Sequence, residues 1–141
     1  AMTRAMMVTI LWRMEKEPAA LKSNFTDLTA DWYRTAVDWA AETGVVNGVG
    51  NGKFAPNATL SLEQLITILY RYAENKGYNV SKSASLDSFT DGSAVSAYAK
   101  PAMQWAVGMN FLSGNTLTPC APASRAQIAQ VLMLFCKAYI K

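Results

Sequence analysis

Residues 124–135 read Ser124-Arg125-Ala126-Gln127-Ile128-Ala129-Gln130-Val131-Leu132-Met133-Leu134-Phe135, and the pattern of this segment occurs three times in the chain. Segments that begin at Thr3 and Ser61 align with it without gaps. In all three segments the apolar residues recur at i, i+3, i+4 and i+7, which is the stripe of an amphipathic helix. They are Met7, Ile10, Leu11 and Met14; Leu65, Ile68, Leu69 and Tyr72; and Ile128, Val131, Leu132 and Phe135. The pattern predicts one helical unit that is used three times.

Each of these helices begins with a residue suited to its N-terminus. Thr3, Ser61 and Ser124 are preferred N-cap residues because their side-chain oxygens accept first-turn N–H groups. Glutamine follows Ser61 and Ser124 three residues later, which predicts a capping box in both helices.

A second element precedes the last two copies. The tripeptides 25–27 and 89–91 are both Phe-Thr-Asp, and each is followed by a predicted helix. We place the first helix over 31–43, with Asp31 as its cap and Gly44 ending it in a left-handed conformation. The second is placed over 96–109, with Pro101 in its first turn, where proline is tolerated.

Glycine-containing loops follow these two helices, over 44–56 and 110–119. The pairs Val45-Val46 and Phe111-Leu112 are predicted to be short extended pieces, and the glycines to form a tight turn that closes a minimal ribbon.

The repeat period is about 60 residues, which is longer than tetratricopeptide, ankyrin or HEAT repeats. We predict a mainly α-helical single domain that holds the last helix of one repeat and two full repeats. The boundaries are 1–141 for the domain, 1–16 for the last helix of repeat one, 25–76 for repeat two, 89–141 for repeat three, and 17–24 and 77–88 for the linkers.

Composition limits the possible functions. Hydrophobic residues make up 51% of the 141 residues and charged residues 16%, so a folded core is expected. The net charge of +3 is too small to indicate a nucleic-acid partner, although it suits a polyanion. Membrane insertion is not expected, because no stretch reaches the roughly 20 apolar residues of a membrane helix. Since Ala1 is not methionine, we interpret the chain as an excised fragment that cannot report its own export signal.

The sequence gives no sign of catalysis, a metal or a cofactor. Histidine is absent, so no Ser/His/Asp or Cys/His set exists. The glycines of 48–52 lack the Lys-Ser/Thr of a phosphate-binding loop. Asp27, Asp31, Asp38 and Glu42 are interpreted as caps and solvated helix positions. Cys120 and Cys136 are predicted to be free thiols that pack as small hydrophobes.

The order of these motifs resembles the S-layer homology family. The residues that carry the resemblance are Phe25-Thr26-Asp27, Trp32-Tyr33, Ala36-Val37, Gly44-Val45-Val46, Gly48, Gly52, Phe54, Pro56, Thr3-Arg4-Ala5 and Ser124-Arg125-Ala126-Gln127. The resemblance implies helix-loop-helix repeats around a pseudo-threefold central helical bundle. It also implies an extracellular, wall-anchoring module that binds an anionic secondary wall polysaccharide, often one with pyruvate ketals.

In that family the arginine of the helix start contacts the ligand, and the Asp of Phe-x-Asp, a tryptophan and a loop glycine are implicated. The positions that match or are candidates here are Arg4, Arg125, Asp27, Asp91, Trp32, Trp39, Trp105, Gly48 and Gly114.

The residues themselves leave alternatives open. An arginine beside a helix N-terminus can join free N–H groups in binding a carboxylate, or can simply be solvated. Each aspartate can also be interpreted as a turn or cap residue, each tryptophan as core or inter-helix packing, and each glycine as a turn residue.

Two features depart from the family pattern. Leu62 stands where arginine is expected, and the loop of repeat three is shorter and lacks the Gly52-Lys53 pair. Both put ligand binding by those parts in doubt. Because repeat one is incomplete in this sequence, we also hypothesise a homo-oligomer or a domain-swapped pair. The alternative function is a protein–protein assembly module at the cell surface without glycan binding.

Overall fold

The computed structural model describes residues 2–140, which divide into two compact units. The first unit is Met2–Thr59, and the second begins at Leu60. The chain is mainly helical, as predicted. The helices are α1 (Arg4–Met14) and α2 (Asp31–Thr43) in the first unit, and α3 (Leu62–Asn75), α4 (Lys100–Gly108) and α5 (Arg125–Tyr139) in the second.

The predicted helix starts of α1, α3 and α5 are confirmed. The Thr3 side chain accepts the N–H of Met6 at 3.1 Å in α1. Ser61 and Ser124 each form the complete capping box with the glutamine three residues later. These local hydrogen bonds satisfy N–H groups that have no partner within the helix.

The helix α2 has the predicted bounds but not the predicted cap. Gly44 ends it with φ 78°, as the sequence indicated. Asp31 was wrongly assigned as the cap: Ala30 occupies the N-cap position and no side chain caps it. Asp31 is instead the first helical residue, where its negative charge lies at the positive end of the helix dipole.

The helix α4 begins later than the predicted 96–109. Residues Ala97–Ala99 form a 3₁₀ turn before it, closed by the N–H of Ala99 on the carbonyl of Ser96 at 3.0 Å. Pro101 lies in the first turn of α4, as predicted. Proline has no N–H to bond the carbonyl four residues earlier, so a regular α-helix cannot extend back through this point.

The loops contain less β structure than expected. Val45, Val46 and Phe111 form no β bridge, and all three are buried core residues. A minimal ribbon is present only in the first of the two loops, as an isolated bridge between Gly50 and Lys53. Among residues 2–140, β pairing is limited to isolated bridges.

The core of the second unit is a cluster of aromatic rings around Trp105, which is 1% exposed. Its indole N–H donates to the hydroxyl of Tyr139 at 3.1 Å, and that hydroxyl donates to the carbonyl of Asn79 at 2.7 Å. Phe111 and Phe135 lie against the same indole ring. The indole N–H of Trp105 and the hydroxyl of Tyr139 thus both have hydrogen-bond partners, as the polar groups of buried aromatic residues require.

In the first unit the segment before Phe25 is held by carboxylates of α2. Asp38, which is 6% exposed, accepts both the N–H and the hydroxyl of Ser23, at 3.2 and 2.6 Å. Glu42 accepts the N–H of Leu21 at 3.2 Å. The interpretation of Asp38 as a solvated helix residue was therefore wrong, because its buried carboxylate accepts hydrogen bonds from Ser23, 15 positions away.

Both cysteines are free, as predicted, but Cys120 is exposed rather than packed as a small hydrophobe. No helix within residues 2–140 is long and apolar enough to cross a bilayer.

Candidate functional site

The start of α1 is held by the loop that follows α2. The N–H groups of Arg4 and Ala5 donate to the carbonyls of Ala58 and Pro56, each at 2.9 Å. Thr3 accepts the next two N–H groups of the turn. The free first-turn N–H groups that we expected to help bind an anion are therefore occupied in α1, and any anion there must be bound by side chains.

The Arg4 side chain is fixed against the same loop. Its Nε–H donates to the carbonyl of Phe54 at 2.9 Å, and Nη2 donates to the carbonyl of Asn47 at 2.6 Å. The guanidinium carbon lies 4.7 Å from the centroid of the Phe54 ring, which is within cation–π range. A guanidinium has five N–H donors, so three remain without a partner among the described residues.

Asp27 fixes the backbone of that loop. Its two carboxylate oxygens accept the N–H groups of Phe54 and Ala55, at 2.9 and 2.8 Å. Desolvation raises the pKa of Asp27, but these backbone hydrogen bonds and the charge of Lys53 outweigh it and hold the pKa below its ordinary value. Ala55 has a φ of 59°, which is unusual for a residue other than glycine, and the carboxylate stabilises it.

Charge around Arg4 is balanced rather than purely positive. Burial lowers the pKa of Arg4, whereas the negative charge of Asp27 raises it. The guanidinium nevertheless stays protonated at all ordinary pH values. We name Arg4, Asp27, Asn47 and Phe54 together the Arg4 site: a fixed cation, with Asp27 bound to the backbone of Phe54.

Trp32 is the exposed aromatic residue of the first unit. It is 51% exposed, and its ring meets that of Tyr33 edge-on at 5.0 Å. The Tyr33 hydroxyl accepts the N–H of Thr29 at 2.9 Å, so the ring beneath Trp32 is itself held in place. An exposed ring on a fixed base is suited to stacking on a sugar ring.

Gly48 is required by packing. A Cβ at this position would lie 2.5 Å from Cε1 of Phe25 and 2.8 Å from the carbonyl of Lys53. The neighbouring Asn47 supplies one of the carbonyls that accept from Arg4. Gly48 therefore lets the loop approach Phe25 closely, and we assign it a positioning role in the Arg4 site.

The second unit repeats the same backbone frame, by which we mean a helix start that donates to two loop carbonyls and an aspartate that accepts two loop N–H groups. The N–H groups of Leu62 and Glu63 donate to the carbonyls of Ala121 and Pro119, at 3.1 and 2.9 Å. Asp91 accepts the N–H groups of Leu117 and Thr118, both at 2.8 Å. These two bonds hold the pKa of Asp91 below its ordinary value.

The residues that surround this second frame differ from those of the Arg4 site. Leu62 replaces the arginine and is 2% exposed. Glu63 follows it, is 4% exposed, and accepts the N–H of Ser96 at 3.0 Å. Tyr98, which is 56% exposed, is hydrogen-bonded to Glu63. We name Leu62, Glu63, Asp91, Tyr98 and Leu117 together the Leu62 site.

Sequence reasoning missed Glu63 and Tyr98. The signal was present, because the alignment of Asp31-Trp32-Tyr33 with Ala97-Tyr98-Ala99 places Tyr98 opposite the exposed Trp32. The difference at Leu62 was seen, but the neighbouring change from alanine to glutamate was not.

The remaining candidate residues lie apart from these contacts. Trp39 and Trp105 are 6% and 1% exposed, which leaves little of either ring for a ligand. Gly114 has a φ of 104° and open space beside it, as a turn residue has. Arg125 is exposed, and neither its side chain nor its backbone N–H has a hydrogen-bond partner within residues 2–140. No group of three potential metal ligands occurs within the same described range.

Comparison with known proteins accounts for this repetition. The family model of the S-layer homology domain matches residues 24–66 and 88–129. A surface-layer 125 kDa protein of Lysinibacillus sphaericus is 32% identical over 136 residues, which is 92% of this chain and 11% of that protein.

Two enzymes contain similar segments. An endoglucanase of Bacillus sp. (strain KSM-635) is 30% identical over 139 residues, or 94% of this chain and 14% of that protein. Exoglucanase XynX of Acetivibrio thermocellus is 26% identical over 130 residues, or 89% of this chain and 12% of that protein. The chain thus corresponds to a small part of each of these long relatives.

The family model covers more than half of the sequence in two consecutive copies, and each copy contains the Phe-Thr-Asp tripeptide whose aspartate binds the loop backbone. The chain therefore belongs to the S-layer homology domain family, the non-catalytic modules that anchor surface proteins to the cell wall.

Proposed function

We propose that this chain anchors its parent protein by binding an anionic secondary wall polysaccharide, with the carboxylate of a pyruvate ketal held by Arg4. The observation that carries the proposal is the fixed guanidinium. Two carbonyls and one ring orient it, and three N–H donors remain for a ligand. A charge-assisted contact from a pre-oriented arginine loses little side-chain entropy when the ligand binds.

Two further observations support a saccharide ligand. Trp32 exposes half of its ring in the same unit, and Asp27 fixes the backbone of the loop whose Phe54 carbonyl orients Arg4. Asp27 acts as a positioning residue in this proposal, since both of its oxygens are already bonded to the loop backbone.

Titration calorimetry with purified pyruvylated wall polysaccharide tests the proposal, beside the same polysaccharide freed of its ketals by mild acid. We expect binding to the first and none to the second. Arg4→Ala should weaken binding by more than about tenfold. Arg13→Ala is the matched control, because Arg13 is an exposed arginine in the last turn of the same helix and should leave binding unchanged. Equal binding of both polysaccharides, or unchanged binding by Arg4→Ala, would contradict the proposal.

An assembly module without glycan binding is the second candidate, and the Leu62 site favours it because it has no arginine. In that case the chain self-associates or binds another surface protein, and Arg4→Ala leaves this association intact. Light scattering of the wild-type chain and of Arg4→Ala, both without polysaccharide, distinguishes the two functions. It also tests the proposed homo-oligomer or swapped pair, which a monomeric mass would exclude.

A further inference from the structure

The Arg4 site and the Leu62 site share one backbone frame, so their side chains can be compared position by position. Both aspartates bind two successive N–H groups of the loop, and both helix starts donate to two loop carbonyls. Thr26 and Thr90 donate their N–H groups to the carbonyls of Gly52 and Asn115, each at 2.9 Å. Phe54 therefore corresponds to Leu117, and Lys53 to Thr116.

Three of the corresponding positions differ in charge, all in the same direction. Arg4 corresponds to Leu62, Lys53 to Thr116, and Ala5 to Glu63. The net charge summed over these three positions is consequently three units lower in the second unit than in the first. Asp91 remains in the place of Asp27, so the Leu62 site has two carboxylates and no cation of its own.

The carboxylate of Glu63 is an integral part of the second unit. Ala5 is 0% exposed, and Glu63 occupies the same frame position at 4% exposed. The charge is satisfied by the N–H of Ser96 at 3.0 Å and by the phenol of Tyr98. These contacts fix the position of the carboxylate within the site.

The exposed aromatic residues of the two units differ in their surroundings. Trp32 meets Tyr33 edge-on, whereas the hydroxyl of Tyr98 is influenced by the carboxylate of Glu63. Arg71 acts on Tyr98 electrostatically and opposes the effect of Glu63 in part. Arg71 lies in the second half of α3, away from the helix start that corresponds to Arg4.

We propose that Leu62 and Glu63 make the Leu62 site exclude anionic glycans, so that only the Arg4 site of this frame binds them. Glu63 is the specificity-determining residue, because it places a negative charge where the Arg4 site has a methyl group. This inference rests on the proposed function of the Arg4 site. The inference goes beyond that function because it assigns the exclusion of anionic glycans to the Leu62 site.

A gain of binding is the sharpest test. The background is Arg4→Ala with Arg125→Ala, which removes both helix-start arginines, and the probe is the pyruvate ketal of a methyl hexopyranoside, whose single ketal allows sites to be counted. Adding Leu62→Arg and Glu63→Ala to this background should restore one site, with at least about tenfold tighter binding than the background, as expected for one charge-assisted hydrogen bond. Adding Leu62→Arg alone should restore less, because Glu63 remains.

Leu62→Arg with Glu63→Gln is the second variant in case the first fails to fold. The amide oxygen of glutamine can still accept the N–H of Ser96, so the frame is preserved while the charge is removed. Circular dichroism and the thermal midpoint of each variant establish that it is folded.

The possible results distinguish a failure of this inference from a failure of the proposed function on which it rests. A wild-type chain that binds no probe overturns both. A wild-type chain that binds, together with folded Leu62→Arg variants that do not, overturns the inference alone. Residual binding by the Arg4→Ala, Arg125→Ala background that is lost on Tyr98→Ala would also overturn it, because the Leu62 site would then be a working site.

Discussion

The carbonyl of Phe54 accepts the Nε–H of Arg4 at 2.9 Å, and the ring of the same residue lies 4.7 Å from the guanidinium carbon. One residue thus fixes the arginine through both its backbone and its side chain. The arginine is 50 positions away in sequence, so the contact depends on the fold of the whole first unit.

Replacing Arg4 with lysine separates charge from geometry. Lysine keeps the positive charge but cannot donate to two carbonyls and a ligand carboxylate in one plane. We expect Arg4→Lys to bind the pyruvate-ketal probe about tenfold more weakly than wild type, and Arg4→Ala to bind it more weakly still. Titration calorimetry at two salt concentrations measures both variants. Binding by Arg4→Lys equal to that of wild type would show that charge alone suffices.

The depressed pKa of Asp27 predicts that the first unit loses stability as the pH falls, and we call this decline its acid limb. The folded-state pKa of Asp27 is depressed, because hydrogen bonds from Phe54 and Ala55 outweigh desolvation. A depressed carboxyl pKa contributes stability that is present above the unfolded-state pKa of about 3.9 and is lost as the pH falls through the folded-state pKa. Asp27→Asn should therefore lower stability at neutral pH and flatten the decline below about pH 4.

Urea unfolding between neutral and acidic pH measures this effect. Asp31→Asn is the comparison variant, because Asp31 is exposed and its charge acts at the N-terminus of α2, so it should change the acid limb less than Asp27→Asn does. An acid limb that stays as steep in Asp27→Asn as in wild type would mean that other carboxylates produce it.

The helices were predictable because their signals are local. The capping boxes at Ser61 and Ser124 involve residues three apart, and the apolar stripes repeat within two turns. Gly44 and Pro101 likewise act on their own turns. Each of these could be placed from neighbours in the sequence alone.

The site was less predictable because its contacts join distant parts of the chain. Arg4 was identified as a candidate, but its bonds to Asn47 and Phe54 could not be foreseen from local spacing. The sequence also could not show that loop carbonyls take the first N–H groups of α1, nor that Glu63 would be buried against Ser96.

Two of the candidate tryptophans, Trp32 and Trp105, should differ in their effects on stability and on binding. Trp32 is 51% exposed, so Trp32→Ala should change the free energy of unfolding by no more than about 0.5 kcal/mol while weakening polysaccharide binding. Trp105 is 1% exposed, and Trp105→Ala should cost about 3–5 kcal/mol. Urea unfolding and calorimetry on both variants check this contrast. Unchanged polysaccharide binding by Trp32→Ala would remove that ring from the site.

Replacing Gly48 with alanine should destabilise the first unit, and removing the ring of Phe25 should reduce that loss. A Cβ there lies 2.5 Å from the ring of Phe25, so Gly48→Ala forces the ring or the loop to move. We expect a loss of about 1–3 kcal/mol, as for other overpacked positions. In Phe25→Ala the ring is absent and only the 2.8 Å approach to the carbonyl of Lys53 remains, so adding Gly48→Ala to that variant should cost less. Additive losses in this double-mutant cycle would show that the clash with Phe25 is not the cause.

Tyr98 reports the Glu63 charge directly and without any ligand. Desolvation raises the pKa of its phenol, and the negative charge and hydrogen bond of Glu63 raise it further. Glu63→Gln removes that charge, so the pKa of Tyr98 should fall towards the ordinary tyrosine value. Ultraviolet titration of the chain, with Tyr98→Phe to identify the contribution of this one phenol, measures the shift. A Tyr98 titration that is unchanged in Glu63→Gln would mean that the carboxylate does not act at this position, and the exclusion of anions would then rest on Leu62 alone.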